Sequence, residues 1–116
     1  MADSKALRNL RREHRSLVQK IGQLGPVLKG SVSARYTRCG KPKCRCQDDP
    51  PKLHGPYWQW STSVDGKTVS RTLNDQQRDL YQQWVDNRKY LEDIIRQMHR
   101  LALDAAADAA KAHLER

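Results

Sequence analysis

At 116 residues the chain has the length of one domain, and with 37% hydrophobic residues and no Phe its core is thin enough to call for a metal or a second subunit. No apolar run approaches the roughly 20 residues of a membrane span, Met1 to Leu10 has no signal-peptide core, and three cysteines cannot close into pairs. A secreted disulfide scaffold is thereby excluded, the cytoplasm is the expected compartment, and a formal charge of +9, confined to residues 1–72, directs the search toward polyanions.

In the first segment Leu7, Leu10, His14, Leu17, Ile21 and Leu24 follow 3-4 spacing, which predicts a helix from Ser4 to Leu24 with a heptad seam. Gly25 and Pro26 are read as its stop, the glycine tolerating positive φ and the proline unable to continue. Arg8, Arg11, Arg12 and Arg15 fall on the opposite face. Ser31 to Arg38 then alternates, with Val32, Ala34 and Tyr36 on one side and Ser33, Arg35 and Thr37 on the other. Tyr57 to Val64 and Lys67 to Leu73 flank Asp65-Gly66, a type I′ hairpin signal. With that turn Trp58 faces Leu73, Trp60 faces Arg71, Thr62 faces Val69 and Val64 faces Lys67. One face is apolar; Tyr57, Gln59, Ser61, Ser63, Thr68, Ser70 and Thr72 make the other wet.

The last segment predicts a long helix from Asp75 to His113. Asn74 is its N-cap and Gln77 the reciprocal partner of a capping box. Leu80, Trp84, Asn87, Leu91, Ile94, Met98, Leu101 and Ala105 keep 4-3 spacing. His14 and Asn87 are each read as a register-fixing polar position in an otherwise apolar seam. At about 1.5 Å per residue the first helix runs about 32 Å and the second about 58 Å, so an antiparallel hairpin leaves surplus seam for a second copy. The expected dimerisation residues are Leu91, Ile94, Met98, Leu101 and Ala105.

Between the first strand and the hairpin, residues 39–55 form a loop that holds every cysteine of the chain. Its spacing is C-x4-C-x-C-x7-H, through Cys39, Cys44, Cys46 and His54. Three thiolates and an imidazole are the ligand set of a closed tetrahedral zinc site, and a metal would order a loop of this length. Three other readings stand beside zinc. An iron–sulfur cluster normally takes four thiolates, a redox thiol would draw on the neighbouring Arg and Lys, and the cysteines are otherwise reduced and unligated. The fourth ligand has alternatives in His14, His99 or a second subunit.

The run Gly30-Ser-Val-Ser-Ala-Arg-Tyr-Thr-Arg-Cys-Gly-Lys-Pro-Lys-Cys-Arg-Cys, followed by His54-Gly-Pro-Tyr-Trp and a Gly-Lys-Thr-Val-Ser-Arg hairpin, resembles a family of small uncharacterised bacterial proteins. These share a C-G-K-x-x-C-x-C…H-G-P-Y pattern ahead of a C-terminal helix, over nearly the whole length. The resemblance implies a neighbourhood of transposases and mobile elements, and by association a DNA-linked role.

The expected architecture is α+β in one domain, residues 1–116: an N-terminal basic helix (1–28), a small three-stranded antiparallel sheet with a zinc-binding loop (29–73), and a long C-terminal helix (74–116) in an antiparallel, coiled-coil pairing. The expected function is a zinc-stabilised, homodimeric nucleic-acid-binding accessory protein, DNA before RNA, serving a larger transposase-like machine. Phosphate contacts fall to Arg35, Arg38, Lys41, Lys43, Arg45, Lys52, Lys67 and Arg71, with Arg8, Arg11, Arg12 and Arg15 extending the patch and Tyr57 available for stacking. Trp58 and Trp60 are assigned to the core. No nucleophile elbow, phosphate loop or paired carboxylates point to an enzyme, and no membrane or small-molecule partner is expected. The alternative is a coiled-coil adaptor whose basic surface recruits an acidic protein.

Overall fold

The computed structural model describes residues 4–114, with side chains through Ala110. Helix α1 spans Lys5–Gly22, strands β1, β2 and β3 span Ser31–Thr37, His54–Val64 and Lys67–Leu73, and helix α2 spans Asp75–Leu114. A single 3-10 turn, Arg45–Gln47, lies in the loop between β1 and β2. The strands form one antiparallel sheet in the order β1-β2-β3, so the α+β architecture is as the sequence implies. Residues 1–3 and 115–116, included in the single-domain expectation, lie outside the described residues. The described chain packs as two compact units: Val27–Asp86, and α1 through Pro26 together with α2 from Asn87 onward.

The hairpin of the first unit has the expected register, from Trp58 opposite Leu73 to Val64 opposite Lys67. Asp65 and Gly66 both take positive φ, 52° and 78°, as a type I′ turn requires. Pairing of β1 with β2 runs from Ser31–Ser61 to Arg35–Tyr57 and then slips to Thr37–His54, leaving one extra residue on β2. Gly55 absorbs the slip at φ 141°, where a Cβ would stand 2.6 Å from the Arg35 carbonyl oxygen. The ladder therefore continues past this bulge, and β2 begins at His54 rather than at Tyr57. The expected β1 face is only partly covered. Val32 packs on the core, whereas Ala34 is exposed and Tyr36 is 57% exposed.

Trp60, Leu73 and Val85 are buried together, with Leu28, Val32, Trp58, Val69 and Tyr81 around them. Tyr81 meets Trp60 edge-on at 5.6 Å and stacks on Trp84 at 5.8 Å. Both hairpin tryptophans find partners for their indole N–H, Trp60 on the Lys29 carbonyl (3.1 Å) and Trp58 on Asp75 Oδ1 (3.0 Å), and the Arg78 guanidinium covers the Trp58 ring at 4.4 Å. These rings are core, with their polar edges satisfied. The opposite face of the sheet stays open, as expected from the alternation.

Helix α2 opens on the reciprocal cap: Asn74 N–H donates to Gln77 Oε1 (2.9 Å) and Gln77 N–H to Asn74 Oδ1 (2.8 Å). Its first three turns meet the sheet through Tyr81 and Val85, and Leu80, expected in the seam, is 43% exposed. This corrects the argument from helix length. The surplus of α2 that seemed to await a second copy is in part covered by the chain's own sheet.

In the second unit α1 and α2 run antiparallel. Lys5, Ala6 and Asn9 share a groove with Asp104, Ala107 and Asp108, and Asn9, Glu13 and Leu17 share another with Gln97, Arg100 and Leu101. Leu17, Ile94 and Ala105 are its buried residues. Ser4 caps α1, its Oγ accepting from the Leu7 N–H at 3.0 Å. The helix ends at Gly22, two residues early, and the amides of Gln23 and Leu24 tighten onto the carbonyls of Lys20 and Ile21. Gly25 does not adopt positive φ; Pro26 ends the helix by disfavouring the α region in the residue before it. Of the two polar seam positions, Asn87 fits the expectation, half-buried and donating to the Pro26 carbonyl at 2.9 Å. His14 does not, being exposed while Glu13 lines the groove. A straight helix drifts about 20° per heptad from a 3.5-residue repeat, so an imidazole with no buried partner rotates to water.

Candidate metal centre

The loop from Cys39 to His54 is built from short local bonds. The Cys44 N–H closes a turn on the Lys41 carbonyl (3.2 Å), and the Gln47 N–H bonds to the Cys44 carbonyl (2.9 Å). The amides of Asp48 and Lys52 both donate to the Arg45 carbonyl at 3.1 Å. These turns bring Cys44 and Cys46 to one side of the loop, facing Cys39 as it leaves β1 and His54 as it opens β2. Thr37 pairs with His54 across the ladder, so the two ends of the loop are held together by the sheet.

The ligand atoms of Cys39, Cys44, Cys46 and His54 all lie within 4.8 Å of one another. Cys39 Sγ and Cys46 Sγ are 3.6 Å apart, and Cys44 Sγ is 3.1 Å from His54 Nε2. Ligands on a tetrahedron of about 2.3 Å Zn–S bonds stand about 3.7 Å from one another, so the set is drawn in close to the spacing such a metal imposes. His54 completes the cluster; His14 and His99 belong to the other unit.

Supporting contacts suit thiolates. The Cys39 N–H donates to Cys46 Sγ (3.2 Å), and Gln47 Nε2 donates to the Cys39 carbonyl (2.8 Å) with Cys46 Sγ at 3.8 Å. The environments of Cys44 and Cys46 diverge. The Cys46 N–H, then the sulfurs of Cys46 and Cys39 and the imidazole of His54, bring Cys44 down to about 6. Cys46 is fully buried, and that burial raises its pKa against the opposing pull of the Cys39 amide. Of these two thiols, Cys44 ionises first.

The basic residues divide among three places. Arg38, Lys41, Lys43, Arg45 and Lys52 are exposed along the metal loop. Arg35 and Tyr57 face each other across the ladder on the open side of the sheet, with Arg35 NH1 donating to Gln59 Oε1 at 3.0 Å. Lys67 and Arg71, paired with Val64 and Trp60, sit on the tryptophan side and do not join that surface. Arg8, Arg11, Arg12 and Arg15 are exposed on α1 in the other unit, where Arg12 bonds Asn9 Oδ1 (2.7 Å) and Glu13. Of the expected dimerisation residues, Ile94 and Ala105 are buried within their own unit and Leu91, Met98 and Leu101 are half-buried. Sequence reasoning passed over Gln47 and Gln59. Cysteine spacing carries no signal for Gln47, and Gln59, placed on the wet face, can be given Arg35 as its partner only once the β1–β2 register is known.

Among the described residues no helix is long and apolar enough to cross a membrane. Neither the curated proteins nor the solved structures contain a match to the chain. Residues 7–83 match a family described as a domain of unknown function, DUF6788. The chain belongs to that family.

Proposed function

We propose that Cys39, Cys44, Cys46 and His54 hold a structural zinc ion and that the chain is a nucleic-acid-binding accessory protein without catalytic activity. Four protein donors within 4.8 Å of one another would leave no open coordination position, which favours a structural over a catalytic metal. The observation that carries the binding role is the set of five exposed cations, Arg38, Lys41, Lys43, Arg45 and Lys52, on a loop that the metal and the β1–β2 ladder stiffen. Rigid cations neutralise phosphates at low ordering cost and release counterions, so affinity falls steeply with salt. The resemblance to small bacterial proteins extends the proposal to DNA and to a transposase-like partner in the cytoplasm. A second copy would pair through exposed apolar residues of α2, Ile95 and Leu103, each 52% exposed.

The test is binding of zinc-replete protein to duplex DNA, single-stranded DNA and structured RNA across a salt series. The expected result is sub-micromolar binding whose logarithm falls linearly with log salt, with a shallower slope once Lys41, Lys43 and Arg45 are changed to Gln. Weak binding that vanishes near physiological salt would overturn the reading. It would return the adaptor role, in which the same cations meet an acidic protein.

A further inference from the structure

The open face of the sheet carries an arrangement the metal loop does not explain. None of the three strands contains an Asp or Glu. Their open face is a field of Ser33, Ser61, Ser63, Thr68, Ser70 and Thr72 hydroxyls around one aromatic ring and one cation. The ring is Tyr57, 47% exposed, and the cation is Arg35, directly opposite it across the ladder. Gln59 steadies the guanidinium with a single hydrogen bond (3.0 Å), leaving most of its five N–H donors outward. Arg35, Thr37, Tyr57, Trp58, Gln59 and Thr72 line a cleft of about 200 Å³ beside the ring. Tyr57 lies three residues from His54, about 10 Å along the strand, so the cleft adjoins the cationic loop.

We infer that this face binds an unpaired nucleotide strand, with a base stacked on Tyr57 and its phosphate on Arg35, the chain continuing toward the cations of the metal loop. This rests on the nucleic-acid reading above and specifies its substrate as single-stranded. A base in a duplex has both faces occupied by its neighbours and offers none to a side chain on a flat sheet. A splayed strand offers a base face and a phosphate at each step, and stacking on aromatics is tolerant of sequence. The hydroxyls can donate to or accept from base edges without favouring one base. An acidic peptide would use Arg35 but does not present a planar ring at every step to stack on Tyr57.

The experiment compares a fluorescein-labelled 20-nucleotide deoxythymidylate strand with a 20-base-pair duplex, using the whole chain loaded with zinc. Wild type, Tyr57→Leu, Tyr57→Phe, Arg35→Gln and the triple variant with Lys41, Lys43 and Arg45 changed to Gln are titrated at one salt concentration. The strand is expected to bind more tightly than the duplex. Tyr57→Leu weakens strand binding about tenfold and duplex binding hardly at all, and Tyr57→Phe retains affinity because the ring face remains. Arg35→Gln weakens the strand with the ring intact. Circular dichroism and metal content equal to wild type confirm that the exposed substitutions leave the fold in place. Tighter duplex binding, or strand affinity unchanged in both Tyr57→Leu and Arg35→Gln while the triple variant still loses it, would overturn this inference and leave the nucleic-acid reading standing. Failure of both probes to bind wild type would overturn the two together.

Discussion

Cys44 and Cys46 are two residues apart and titrate in opposite directions, because one sulfur collects hydrogen bonds and the other lies out of reach of water. Cys44, lowered in the folded chain, contributes stability that is present above the ordinary thiol pKa and is lost as pH falls through about 6. Cys46, raised, contributes stability below the ordinary value that is lost as pH rises through its folded pKa. In the metal-free protein, iodoacetamide should therefore alkylate Cys44 with a pH midpoint of about 6 and Cys46 only under more alkaline conditions; bound metal should protect both. Gln47 is the side chain whose amide links the Cys39 carbonyl to the Cys46 sulfur. Removing such an outer contact typically costs about 10- to 100-fold in metal affinity, and Gln47→Ala should show a loss in that range in competition with a chromogenic chelator. The cluster of four was legible from residue type and spacing alone, since few side chains besides Cys and His supply a closed soft-metal site. Gln47 was not, because its role depends on a 3-10 turn that the cysteine spacing does not announce.

The β2–β3 hairpin and the start of α2 were read correctly from local chemistry, whereas the β1–β2 ladder and the stop of α1 were not. The β2–β3 register follows from two turn residues, and the start of α2 from a box of four. The β1–β2 register depends on where a long loop returns, and nothing local to Ser31–Thr37 announces the slip at Gly55. That glycine is open to a sharp test. An Ala there would take φ 141° with its Cβ 2.6 Å from a backbone oxygen, a conformation costing about 1–3 kcal/mol. Gly55→Ala should lower the urea midpoint accordingly and weaken metal binding, since it displaces the strand end that presents His54. Helix α2 was misread along its first turns for a different reason. A single 4-3 seam assumes one partner, yet Tyr81 and Val85 face a sheet whereas Ile94 and Ala105 face a helix.

For the molecule as a whole, the two consecutive residues Ile94 and Ile95 separate internal packing from the proposed association. Ile94 is 1% exposed and Ile95 52%. Ile94→Ala should destabilise the fold by about 2–5 kcal/mol, whereas Ile95→Ala should stay within about 0.5 kcal/mol in the monomer. Sedimentation velocity should report a dimer for wild type and a monomer for a double variant carrying Ile95→Glu and Leu103→Glu; a wild-type monomer at high micromolar concentration would remove the dimer from the proposal. The thin core foreseen from composition is present, with few buried residues in either unit among those described. The proposed metal would supplement it in a particular direction. His54 is at once a candidate ligand and the last rung of the β1–β2 ladder, opposite Thr37, so a bound metal and the sheet would seal the same loop. Withdrawing the ion should make the ladder fray from that end first. Amide hydrogen exchange should then quicken at Arg35, Thr37 and Tyr57 well before it does at Ser61 and Ser70, so that the ion acts as the stop of a zip that runs from the metal toward the hairpin.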